Sequence, residues 1–150
     1  MSNRTRRIYA PLTLAALALG AAACSSDSKA SGPTTVAVAI KEWSFRPSRA
    51  EAPAGKVTFA ATNSGKEVHE LVVFKTDLAP ARLPVDEDGA VDERGKGITP
   101  VDEVEDVKPG TTKQFTVTLK PGKYVMACNI VENGKVHYKH KMYHAFTVAG

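Results

Sequence analysis

The chain has 150 residues, 43% of them hydrophobic, and 20 Lys and Arg against 16 Asp and Glu give a formal charge of +4. Arg4, Arg6 and Arg7 lie in a leader without acids, which leaves 17 basic against 16 acidic residues, a balance that gives no suggestion of nucleic-acid binding. Of the two cysteines, Cys24 closes that leader, so Cys128 has no thiol with which to pair.

In chain order, the arginines precede an uncharged, alanine-rich run of 14 residues from Ala10 to Ala23. A basic start and an apolar run too short to span a bilayer comfortably are the pattern of a secretory signal, expected here over residues 1–23. The run ends in Leu19-Gly20-Ala21-Ala22-Ala23-Cys24. This resembles a bacterial lipobox, although Ala21 stands where leucine is commoner. The resemblance implies that Cys24 is lipidated and anchors the protein to the extracytoplasmic face of the cell membrane; the alternative is an ordinary signal peptide cut near Ala23. Thr5-Arg6-Arg7-Ile8-Tyr9 is similar to a twin-arginine signal, leaving the export route open. Residues 24–33 then form a polar tether with a reach of about 15–20 Å, and residues 34–150 a single domain.

The domain reads as β throughout. Thr35–Ile40 and Lys56–Ala61 alternate, with Val36, Val38 and Ile40 and then Val57, Phe59 and Ala61 on one face. His69–Phe74 is a continuous apolar strand. Thr76–Pro100 is too long for a hairpin loop and predicts a surface excursion with a helical turn near Leu78–Arg82. Nine acids between Asp86 and Asp106, against Arg94 and Lys96, read as a solvated acidic loop. Gln114–Leu119 alternates again, Gly122–Cys128 places Tyr124, Met126 and Cys128 on one face, and His144–Val148 supplies a last strand. Lys-Pro-Gly turns at Lys108 and Lys120 punctuate this half, and Tyr124 is placed to tether a Greek-key corner through its hydroxyl. Short strands between Pro/Gly turns, without an amphipathic helix, predict an all-β Greek-key sandwich.

His69, Cys128, His137 and Met142 combine one thiolate, two imidazoles and a thioether. Soft sulfur suits cuprous copper and imidazole also suits cupric copper, so this donor set serves both oxidation states. Trp43-Ser44-Phe45-Arg46-Pro47, Pro53-Ala54-Gly55-Lys56-Val57-Thr58-Phe59, Asn63-Ser64-Gly65 and His69 resemble the first half of the cupredoxin family. Pro121-Gly122-Lys123-Tyr124, Cys128, His137-Tyr138, Met142 and Phe146-Thr147-Val148 resemble its second half. The resemblance implies one mononuclear type 1 copper ion, with His69, Cys128 and His137 equatorial and Met142 axial.

Eight residues separate Cys128 from His137, more than in familiar cupredoxins. Val131-Glu132-Asn133-Gly134-Lys135-Val136 is a two-residue hairpin signal that pairs Glu132 with Lys135, Val131 with Val136 and Ile130 with His137. His137 then lies diagonally from Cys128 on one face, while His140 would oppose Ala127 and point away. His140 and His144 are therefore expected to be structural or surface residues, and Met126 a core residue.

These readings converge on a lipid-anchored, monomeric electron carrier served by a redox partner protein, with no nucleic acid. Four protein ligands leave no open position for a substrate, so no enzyme activity is expected. A module that holds or delivers copper, and a metal-free interaction domain, are the alternatives.

Overall fold

A computed structural model describes residues 32–150; the leader, Cys24 and most of the tether lie outside the described residues. In chain order the strands are β1 (Thr34–Lys41), β2 (Ser44–Pro47), β3 (Glu51–Pro53), β4 (Gly55–Asn63), β5 (His69–Thr76), β6 (Ile98–Val107), β7 (Thr112–Leu119), β8 (Gly122–Ala127), β9 (Val131–Glu132), β10 (Lys135–Val136) and β11 (Tyr143–Ala149). One sheet has the order β2-β1-β4-β7, a second has the order β3-β11-β8-β5-β6, and β9 and β10 pair alone. Most pairs are antiparallel, but β1 runs parallel to β4 and β11 parallel to β3.

The alternation read in the sequence fixes which faces meet. Val36, Val38 and Ile40 of β1 and Val57, Phe59 and Ala61 of β4 are buried against Leu71, Val73, Tyr124, Met126 and Phe146 of the second sheet. Phe59 packs between Phe115 and Phe146, with ring centroids 5.3 and 5.4 Å away. Burying a side chain of this size contributes on the order of 2–3 kcal/mol. At the corner before β8, the Tyr124 hydroxyl donates to the Lys120 carbonyl at 2.7 Å, as the sequence predicted.

The continuous apolar character of β5 has a direct cause, since both of its faces are covered. Val72 and Phe74 face away from the sandwich core, beside Val125 and Ala127 of β8. Leu83, Ala90 and Val91 cover them, so the expected excursion is a strap closing the outer face of the second sheet. Its helical turn is one of 3₁₀ type at Pro80–Arg82.

The acidic stretch departs from expectation. Its second half is β6, a ten-residue edge strand paired with β5. Its less exposed residues, Ile98, Val101, Val104 and Val107, recur every third position rather than every second, the three valines on the sandwich core and Ile98 against the outer cluster. Two irregularities in pairing explain this: between the partners of His69 and Leu71, and again between those of Val73 and Phe74, β6 carries one residue more than β5. Each bulge adds a residue and shifts the period, and Asp106 takes a left-handed φ of 49° at the first of them. Acids, Pro100 and bulges are also what keeps an exposed edge from pairing with another chain.

Tyr124→Phe keeps the ring and removes the corner bond. It should lower unfolding free energy by about 1 kcal/mol, measured as a shift in the urea midpoint without a change in slope.

Candidate metal centre

Three donors meet at one end of the sandwich. The Cys128 Sγ lies 3.2 Å from His137 Nδ1 and 3.9 Å from His69 Nδ1, and the two Nδ1 atoms are 3.3 Å apart. All three side chains are fully buried. Among the described residues this is the cluster of His, Cys, Asp and Glu that gathers three such donors within 4.8 Å. Met142 is also fully buried and packs in the core cluster that contains Cys128.

The backbone explains the convergence. His69 opens β5, while Cys128 follows the last residue of β8. The Cys128 N–H donates to the Met142 carbonyl at 3.0 Å, and the Met142 N–H donates to the His137 carbonyl at 3.2 Å. Asn133 and Gly134 have φ of 52° and 74°, the left-handed pair required by the tight hairpin turn. The predicted register holds: Lys135 pairs with Glu132, Val136 with Val131, and the His137 N–H donates to the Ile130 carbonyl at 3.0 Å.

The ladder does not continue to His140. After Val136 the chain turns through a 3₁₀ segment, Tyr138–His140, with Lys141 left-handed, and it is Tyr143 that opposes Ala127. His140 is outside the cluster for a different reason from the one expected: it is exposed and stacks on Trp43 at 4.2 Å. His144 lies in β11 opposite Met126, and Met126 is core.

Two side chains beside the donors tie the strap to this end of the sheet. The Asn129 amide donates to the Val91 carbonyl and its oxygen accepts the Val91 N–H. The Tyr138 hydroxyl accepts the Leu83 N–H at 3.0 Å and donates to the Pro80 carbonyl at 2.8 Å. The residues next to Cys128 and His137 are thereby anchored to a segment some 40–60 positions earlier in the chain.

The sequence reading missed the carboxylates and the indole that close the site. Glu42 and Trp43 form the two-residue turn between β1 and β2, with Trp43 at a φ of 60°, a costly conformation for a bulky residue. Trp43 meets the His137 ring edge-on at 5.3 Å. Glu42 Oε1 lies 3.6 Å from His69 Nε2, and Glu67 Oε2 lies 3.6 Å from His137 Nε2. Buried Asn63 shapes the Glu67 segment, donating to the Glu67 and Val107 carbonyls and accepting the Gly65 N–H. A Cβ at Gly65 would meet the Glu42 carboxylate.

Burial sets the protonation of the donors. It pushes the Cys128 thiol up to about 12 and both imidazoles below their ordinary value, so the metal-free site holds a neutral thiol and neutral rings. The Glu67 N–H, then that of Lys66, holds Glu42 down at about 2, and Lys135 holds Glu67 below the usual range. A thiolate at this position requires a cation beside it.

One soft sulfur and two inward-facing Nδ1 atoms, buried and with no disulfide partner for the thiol among the described residues, fit a single type 1 copper ion. The fold and donor set are those of a blue-copper domain. The chain belongs to the cupredoxin-like domain family, whose model matches residues 13–137 and so spans His69, Cys128 and His137 but stops short of Met142. It is similar in structure to auracyanin from Roseiflexus castenholzii, with a TM-score of 0.57 and 24% identity over 79% of this chain and 100% of that one. Rusticyanin from Thiobacillus ferrooxidans matches with a TM-score of 0.55 and 18% identity over 79% of each chain. In sequence it is 29% identical over 133 residues to the iron uptake system component EfeO of Yersinia pseudotuberculosis, covering 89% of this chain but 28% of that protein. The EfeO of Yersinia pestis is 27% identical over 100 residues, or 67% of this chain and 21% of the relative. The chain thus spans about a quarter of the length of these curated relatives.

Glu70 adds a pH dependence. Burial, opposed by the Asn129 N–H and reinforced by Glu103, Glu93 and Glu105, raises its carboxyl from 4.5 to about 7. The unfolded chain then binds fewer protons than the folded one between these values, so this group makes stability fall as pH rises from about 4.5 to 7. Glu70→Gln, measured in the metal-free protein by urea unfolding, should flatten that fall and add about 1–2 kcal/mol at pH 8.

Proposed function

We propose that this domain carries single electrons through one copper ion held by Cys128, His69 and His137, with Met142 as a weak axial ligand. The observation that carries the reading is the convergence of Sγ and two Nδ1 atoms in a fully buried cluster. Copper bound there supplies a one-electron couple between its cuprous and cupric states. The chain's part is to keep the donors fixed. The backbone bonds among Cys128, Met142 and His137, together with the strap bonds from Asn129 and Tyr138, resist rearrangement when the charge changes. Burial excludes water, and four protein ligands would leave no position for a substrate.

The reading extends to location and partners. Cys24 is proposed as a lipid anchor at the extracytoplasmic face of the cell membrane, residues 24–33 as the tether, and the domain as a monomer that meets a redox partner protein. The likeness to proteins named as iron uptake system components favours a role for that electron transfer within iron uptake. Holding or delivering copper is the second reading, and slow metal release with a reversible potential separates the two.

Adding cupric copper to the purified protein should produce an intense visible band. Cys128→Ser should remove it and His137→Ala should abolish or grossly alter it, whereas His140→Ala should leave it nearly intact. Met142→Leu should keep the colour and shift the potential. No band in the unmutated protein would retire the electron-carrier reading. Mass spectrometry of the mature protein should find acyl chains on Cys24, and Cys24→Ala should abolish them; an unmodified N-terminus would overturn the anchor.

A further inference from the structure

Each imidazole of the centre has a carboxylate at its far nitrogen. Glu42 Oε1 stands 3.6 Å from His69 Nε2, and Glu67 Oε2 stands 3.6 Å from His137 Nε2. Both Nε2 atoms and Glu67 Oε2 are buried without a hydrogen-bond partner, and the carboxylates are the ion-pair-range groups at these nitrogens among the described residues. The carboxylates are held in different ways. Glu42 Oε1 accepts the Lys66 and Glu67 N–H groups. Glu67 Oε1 is bound by Lys135 Nζ at 2.7 Å, on the rim of the hairpin that carries His137.

We propose that Glu42 and Glu67 are positioning residues that lower the reduction potential of the copper centre by setting a negative charge behind each of its imidazoles. The inference rests on the copper reading above and goes beyond it, since the carboxylates need not touch the metal. With Nδ1 committed inward, the proton of each ring sits on Nε2 and points at an anion. That arrangement fixes the tautomer, makes the ring a better electron donor and favours the more highly charged oxidised state. At 3.6 Å the effect is carried by charge from partly exposed carboxylates onto fully buried rings, a partly buried geometry in which screening is reduced.

The two arms differ in a way that gives the account a signature. The Glu42 charge meets backbone N–H groups and, among the described residues, His69 is its ion-pair-range contact. The Glu67 charge is shared with Lys135. Removing Glu42 should therefore raise the potential most, removing Glu67 should raise it less, and removing Lys135 should lower it. A role limited to packing would not reverse sign at the lysine. Lys135 is exposed, and its replacement spares the core.

The test is voltammetry on the copper-loaded full chain and on Glu42→Gln, Glu67→Gln and Lys135→Met, with competition measurements of cupric and cuprous affinity. The ratio of cupric to cuprous affinity should fall about tenfold in Glu42→Gln, a rise of about 59 mV for one electron. It should fall by less in Glu67→Gln and increase in Lys135→Met. In the metal-free protein, ¹⁵N chemical shifts should show the His69 ring losing its preference for the Nε2–H form in Glu42→Gln. Potentials unchanged or lowered in both Gln variants would overturn the proposal while leaving the copper reading intact. Absence of the visible band in the unmutated protein would overturn both. Should Glu42→Gln fail to fold, opposite signs in the Glu67 and Lys135 variants support the proposal, and equal signs refute it.

Discussion

A thiol buried until it stays neutral at ordinary pH, with two neutral imidazole nitrogens 3.2 and 3.9 Å away, is the constraint around which this domain is arranged. The Glu70 and Ile130 N–H groups favour a thiolate there but do not offset its burial, so the chain supplies order in advance and leaves the compensating charge to a cation. Order comes from backbone bonds that run from Cys128 to Met142 and from Met142 to His137, closing the loop on itself. Because these are main-chain bonds, they fix the direction of the side chains without depending on the identity of the residues between them.

The strap contributes to the same end from a distance. Leu83, Ala90 and Val91 bury the outer face of β5 and β8, and the polar ends of Asn129 and Tyr138 reach into the strap at the positions adjoining two donors. Apolar cover for a sheet and support for a metal loop are thus one structure. A loss of packing under the strap would be felt at Cys128 and His137 before it was felt in the sandwich core.

Much of this was legible in the residues. Alternation in β1, β4 and β7 and the turn residues before β8 give the layers and the corner, because a half-buried strand has period two and a Pro-Gly turn has few alternatives. Cys128 and His137 could be placed together because the Asn133-Gly134 turn leaves one register, while His69 joined them through the donor set and the family resemblance. What escaped had physical reasons. The two bulges in β6 convert period two into period three, so Ile98, Val101, Val104 and Val107 look like no regular strand. His140 was assigned to a continuing ladder, whereas Lys141 takes a left-handed conformation that a lysine does not advertise. Glu42 and Trp43, in the turn after β1, and Glu67, in the segment before β5, reach their histidines only through tertiary contacts, and no local spacing signals that.

The hairpin carries one further implication. Its tip, Val131 to Lys135, is exposed, while its base is pinned where Ile130 meets His137. Cross-strand pairs could be added or deleted at the tip two residues at a time, leaving the base and the facing of His137 untouched. A single added residue would have to be absorbed in the turn itself, as a three-residue loop with a left-handed glycine. The interval between thiol and imidazole along the chain is therefore not a fixed dimension of such a centre but a length that can change in even steps, which makes residue counting between these two donors a poor ruler for recognising it.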